Sequence, residues 1–133
     1  MGAKERTKEP ERRFVKGLIK SFFYAFSGIG RTAITQRNMK IHLCFAVLAL
    51  MANTVLRLTV MEWVIILILI GLVLSFECFN TAIESLVDRF STEEHHLSRN
   101  AKDAAAGAVL IMAIIAVIVG FIIYINAFVR LIG

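Results

Sequence analysis

Residues 104–129 read Ala-Ala-Ala-Gly-Ala-Val-Leu-Ile-Met-Ala-Ile-Ile-Ala-Val-Ile-Val-Gly-Phe-Ile-Ile-Tyr-Ile-Asn-Ala-Phe-Val, with no charge between Asp103 and Arg130. A helix needs about 20 mostly apolar residues to cross a bilayer, and this run exceeds that. Two shorter uncharged runs precede it, Ile41–Leu56 and Trp63–Phe76. They become spans if the charged residues at their ends lie at, or snorkel toward, an interface. The chain therefore reads as an all-α integral membrane protein with three transmembrane helices. It also carries an N-terminal amphipathic surface helix.

Composition agrees. Apolar residues make up 58% of the 133 residues, above the roughly 45–50% of soluble domains. One soluble core of this size could not hide them all, which argues against an ordinary soluble enzyme. One Pro and eight Gly exclude collagen-like or linker-rich chains, and two Cys support neither a disulfide scaffold nor a four-thiolate zinc site.

Charge sets the expected orientation. Residues 1–40 carry +7 and residues 41–133 carry −2. A basic block beside apolar segments marks the cytoplasmic side and meets anionic lipid heads, so nucleic acid is not an expected partner. The amino terminus is then inside, Arg57–Glu62 outside, Asp88–Asp103 inside and the carboxyl terminus outside. A cleaved signal peptide is not expected. The organisation expected is one membrane-embedded domain over 1–133. It comprises a disordered basic tail at 1–13, a surface helix at 14–35, and spans at about 41–60, 62–88 and 98–130. Phe14, Leu18, Phe22, Ala25 and Ile29 form the apolar stripe of the surface helix. Thr59-Val-Met-Glu62 and Ser91-Thr-Glu-Glu94 are candidate capping boxes.

Polar residues gather at the end of the second span, in Glu77-Cys-Phe-Asn80-Thr81-Ala-Ile-Glu84-Ser-Leu-Val-Asp88. At 100° per residue, Glu77, Asn80, Thr81, Glu84 and Asp88 share about 100° of arc. If Glu62 marks the outer interface, Glu77 lies about 22 Å deeper, near the inner acyl–headgroup boundary of a ~30 Å slab. A lipid alcohol carries its hydroxyl at that depth. Glu84 lies roughly 10 Å further, where a water-soluble nucleotide reaches. Bundle-internal ion pairing would explain one such acid. Glu77, Asn80 and Glu84 together point to function, because such residues are costly in lipid. Asp88 suits a solvated helix end equally well.

Lys102 and Asp103 stand at the foot of the third span, where they suit a snorkelling Lys and a helix-start Asp, or phosphate binding. Small Ala104, Gly107 and Ala108 suit close helix packing. Neither a P-loop nor a G-x-G-x-x-G run is present. His42 and His96 read as interfacial, and Cys44 and Cys78 as small apolar fillers.

The segment 77–88, followed by Ala101-Lys-Asp-Ala-Ala-Ala-Gly-Ala-Val109, resembles the prokaryotic diacylglycerol kinase family of small membrane lipid kinases. Arg37-Asn-Met-Lys-Ile-His42 looks like that family's undecaprenol kinase branch in Gram-positive bacteria. The resemblance runs from about Phe22 to the carboxyl terminus. It implies a homotrimer in the bacterial inner membrane, with MgATP as phosphate donor and a lipid alcohol as acceptor. The expected acceptor is undecaprenol, with diacylglycerol as the alternative. It further implies that Glu77 is the catalytic base and Asn80 its polar partner. Glu84 is implied to contact metal and ATP. Glu93, Glu94, His95, Lys102 and Asp103 match the nucleotide-contacting stretch, and Tyr24 an aromatic position near adenine. One departure stands out: Gln36 occupies the place of a second metal-binding Glu. If it keeps that role, Mg²⁺ rests on Glu84, Gln36 and the ATP phosphates; Glu11 or Glu94 is the alternative acid.

Two other classes compete with this reading. A proton-coupled exporter predicts a mid-bilayer carboxylate and usually four spans. A non-catalytic membrane subunit leaves the Glu77 stripe and the Lys102-Asp103 pair without a purpose.

Overall fold

A computed structural model describes residues 8–90 and 96–133. Among the described residues the chain forms four helices and no strand: α1 (Lys8–Thr35), α2 (Arg37–Val55), α3 (Val60–Phe90) and α4 (His96–Ile132). Two compact units divide at Thr35 and Gln36.

In the first unit, α1 begins at Lys8 and so includes part of the stretch expected to be disordered. Pro10 permits this start: its missing N–H falls in the first turn, where N–H groups have no partner within the helix. Phe14, Leu18, Phe22 and Ile29 are exposed along α1, as a helix lying on a lipid surface requires. Tyr24 sits beneath Lys20, whose Nζ lies 5.7 Å from the ring centroid, and its ring meets Phe23 edge-on.

The second unit holds three helices long and apolar enough to cross a membrane. Each shows a buried seam. On α2 it is Met39, Ala46 and Asn53, one residue per seven. On α3 it is Ile66, Leu69, Val73, Glu77 and Asn80, at three- and four-residue steps. On α4 it runs through Ala105, Val109, Gly120, Ile123 and Ala127. The small residue packed at the foot of α4 is thus Ala105; Ala104 is exposed. The remaining surface is largely exposed apolar side chains, the face a bilayer covers.

The first span is shorter than expected, ending at Val55 instead of about 60. The Arg57 N–H donates to the Thr54 carbonyl at 3.3 Å and the Leu58 N–H to the Asn53 carbonyl at 3.1 Å. That is a Schellman ending, and it puts Arg57 at φ 50°. An L-residue pays about 1–2 kcal/mol for that conformation. Leu58, buried against Ile66, Ile123 and Ala127, helps hold it.

The capping box at the start of α3 forms as expected. The Glu62 carboxylate accepts the Thr59 N–H at 2.8 Å, while Thr59 Oγ1 accepts the Glu62 N–H at 3.4 Å. Glu62 also takes a bidentate pair from Arg130, at 2.9 and 2.8 Å. One end of α3 is thereby tied to the end of α4. The other candidate capping box, Ser91 to Glu94, lies outside the described residues. With 31 residues, α3 is about 46 Å long at 1.5 Å per residue. It exceeds a ~30 Å hydrocarbon slab, so one end must emerge into headgroups or water.

Two polar residues that the sequence reading passed over join the spans. Tyr124 on α4 donates to Asn53 Oδ1 at 3.0 Å and approaches the Ala49 carbonyl at 3.2 Å, both on α2. Asn53 is fully buried. Such interhelical bonds in membrane proteins average about 0.6 kcal/mol.

Candidate active site

The α3 seam is apolar through Val73 and then turns polar without changing face. Glu77 and Asn80 take the next two buried positions, 1% and 5% exposed. Glu84, one further turn along, is half-buried, and Asp88 is exposed. The packing stripe that holds α3 against its neighbours thus also carries the carboxylates.

Glu77 Oε2 and Asn80 Oδ1 are buried without hydrogen-bond partners. Leaving such atoms unpaired costs about 1–3 kcal/mol each, a cost the fold bears only where something else meets them. Asn80 Nδ2 donates to Glu84 Oε1 at 3.0 Å. Side chains four residues apart on a helix face stack directly. Thr81 turns its hydroxyl to the Glu77 carbonyl at 2.9 Å. His42 on α2 is half-buried and borders the same cavity as Val73, the seam residue one turn before Glu77; it was missed as a neighbour of this site. Its signal was its place on the α2 face that also carries Ala46 and Ala49.

Lys102 reaches across from α4 to Asp88 Oδ1 at 2.8 Å. Asp88, ambiguous in sequence, is therefore the residue that holds Lys102 beside the carboxylate stripe. Asp103 faces elsewhere, exposed and 4.0 Å from Arg99. Gln36 is the extended residue preceding α2, half-buried, and its side chain makes no capping bond. Tyr24 belongs to the α1 unit. Glu93, Glu94 and His95 lie outside the described residues. The structure thus brings together Glu77, Asn80 and Glu84, with Lys102 joined through Asp88.

Among the described residues no three His, Cys, Asp or Glu side chains gather into a metal cage. Mg²⁺ is commonly held by one or two carboxylates plus substrate phosphates. Glu84 and the unpartnered Asn80 Oδ1 fit that thin, all-oxygen donor set. The arrangement can therefore do acid–base chemistry at a buried carboxylate, with the Lys102 ammonium held next to the stripe by Asp88 as a positive charge for an anion.

Between α2, α3 and α4 lies a cavity of about 430 Å³, bordered by His42, Val73, Leu74, Ala116, Gly120 and Tyr124 among others.

Comparison with known proteins gives this geometry a family. The prokaryotic diacylglycerol kinase model matches residues 23–124. An undecaprenol kinase of Bacillus subtilis is 42% identical over 124 residues, covering 93% of this chain and 97% of that protein. A diacylglycerol kinase of Synechocystis sp. is 39% identical, covering 90% and 69%. One of Escherichia coli is 34% identical, covering 76% and 83%. A buried acid on a membrane helix and relatives that are lipid kinases agree: the chain is a multi-pass membrane lipid kinase and belongs to the prokaryotic diacylglycerol kinase family.

Proposed function

We propose that this chain transfers the γ-phosphoryl group of ATP to the hydroxyl of undecaprenol, forming undecaprenyl phosphate and ADP. The observation that carries the reading is the buried carboxylate of Glu77, one of whose oxygens has no partner, one helical turn from the Asn80–Glu84 pair. The near full-length likeness to an undecaprenol kinase favours that lipid. Diacylglycerol is the second reading, favoured by the names of the other relatives.

Phosphoryl transfer asks a protein for positioning and charge stabilisation more than covalent work. Glu77 accepts the lipid hydroxyl proton as the oxygen attacks phosphorus and the bond to ADP breaks. Asn80 holds Glu84 oriented, and Glu84 faces the nucleotide. Lys102, positioned by Asp88, supplies a fixed positive charge for phosphate. Mg²⁺, when bound with ATP, neutralises phosphate charge. Tyr24, Glu93, Glu94, His95 and Asp103 complete the nucleotide side of the proposal. The working form is a homotrimer in the bacterial cytoplasmic membrane with the amino terminus inside.

Purified protein in mixed micelles with labelled ATP tests the reading. Undecaprenol is expected to be phosphorylated with higher kcat/KM than diacylglycerol. The reverse order establishes the second reading, and label in neither lipid overturns both.

Gln36 allows a sharper test. A neutral amide brings no charge to a hard cation that favours carboxylates. Gln36→Glu is expected to lower the half-saturating Mg²⁺ by about fivefold, the equivalent of about 1 kcal/mol for one added charge pair at 4 Å in water. Titration of MgCl₂ at fixed ATP reads this directly. An unchanged midpoint removes Gln36 from the metal.

A further inference from the structure

Glu77 is 1% exposed, so a proton it takes up has no direct way into water. The register of α2 against α3 brings a histidine to its level. The two helices run antiparallel through the short turn at residues 56–59, and Ala49 packs on the core cluster that holds Ile66. Seven residues from Ala49 toward the start of α2 stands His42, and seven from Ile66 along α3 stands Val73. Both border the cavity between the helices, and Glu77 follows Val73 by one turn on the same buried seam. Side chains on a helix lean toward its amino end. On α2 that lean carries His42 the way α3 runs from Val73 to Glu77. On α3 it carries Glu77 back toward Val73. The imidazole and the carboxylate therefore lean toward each other. His42 is half-buried and lies five residues beyond Arg37, about 7.5 Å along the axis. There exposed Arg37, Asn38 and Lys40 form the polar end of the span. Of the residues that α4 places on the cavity, Tyr124 alone titrates, and it is bonded to Asn53, eleven residues from His42 along α2. Glu84 lies two turns beyond Glu77 on α3.

We propose that His42 is the group through which Glu77 discharges its proton between turnovers. This rests on the reading above that Glu77 is the base of a lipid kinase. Once the lipid oxygen has bonded to phosphorus, the hydroxyl proton sits on the Glu77 carboxyl, and the next turnover waits until it leaves. The neutral imidazole takes it, which restores the Glu77 carboxylate and leaves an imidazolium. The imidazolium then releases the proton to water at the start of α2 and is neutral again. An imidazole ordinarily holds a proton more tightly than a carboxylate and gives it up near neutral pH, which suits both steps. His42 acts through Glu77 and touches no reacting atom of the lipid or the nucleotide.

His42→Gln keeps a polar side chain of similar reach that cannot take up a proton. Rapid-quench kinetics with labelled ATP and undecaprenol in mixed micelles separates the first turnover from later ones. The first is expected at the wild-type rate, because Glu77 begins it as a carboxylate. Later turnovers are expected to slow by about tenfold, short of the roughly 10²–10⁴ that a group in the chemical step contributes. The drop from first to steady rate is then about tenfold steeper than in the wild type. A second variant, His42→Ala, opens room on the existing cavity. Imidazole added to the buffer is expected to restore its steady rate and leave its first turnover alone. A histidine that only supports the fold gives a different pattern, with both phases slowed together and no response to imidazole. That pattern, or wild-type kinetics in both variants, overturns the proposal. If the wild type phosphorylates no lipid alcohol, or Glu77→Gln keeps its first turnover, the reading beneath falls and takes this inference with it. If Glu77→Gln loses the first turnover and the His42 variants keep both phases, the base stands and the relay alone falls.

Discussion

Glu77→Gln is expected to lower kcat by roughly 10²–10⁴, the usual share of a general base. The side chain keeps its shape and loses the ability to take a proton from the lipid hydroxyl. The fold should tolerate the change. Glu77 is 1% exposed and one of its oxygens has no partner. A neutral amide is cheaper to bury than an unpaired carboxylate, so the melting temperature in detergent should hold or rise. ATP binding should persist, since Glu84 and Lys102 are unchanged. Single-turnover phosphorylation of undecaprenol, measured beside thermal unfolding, checks both halves. A variant that turns over normally would remove Glu77 from the chemistry and leave its burial without an account.

Much of this site was legible because one periodicity serves two purposes. The spacing that carries Ile66, Leu69 and Val73 through the α3 seam also carries Glu77 and Asn80, so a search for polar residues on one helical face finds them. The Glu62 cap was legible for a similar reason: its partner Thr59 is three residues away. What escaped depends on partners far apart in the chain. Lys102 and Asp88 meet across two helices. Tyr124 and Asn53 stand 71 residues apart, each an ordinary member of an apolar run. Span ends escaped for another reason. Val55 ends α2 through backbone bonds and a positive φ at Arg57, where arginine gives none of the signal a glycine would. Lys8 opens α1 because Pro10 is harmless in a first turn, although a charged, proline-containing stretch reads as tail.

Glu84→Gln separates the metal side of the site from the base. The substitution keeps a carbonyl oxygen facing Asn80, whose amide donates to Glu84 Oε1 at 3.0 Å, so local geometry should survive. The negative charge is lost. Removing even an outer partner of a metal ligand costs roughly 10–100-fold in affinity, and the half-saturating Mg²⁺ is expected to rise by at least that range's lower end. Saturating MgCl₂ should then restore most of kcat. It should not rescue Glu77→Gln, where the missing function is proton acceptance. Combining Glu84→Gln with Gln36→Glu adds a further arm. If both side chains face one cation, the second change recovers part of the lost affinity, and the two effects are not additive. If they face different groups, the effects add. A Mg²⁺ titration unaltered by Glu84→Gln would leave that carboxylate the single task of holding Asn80, and the metal would then rest on the ATP phosphates and residues beyond this stripe.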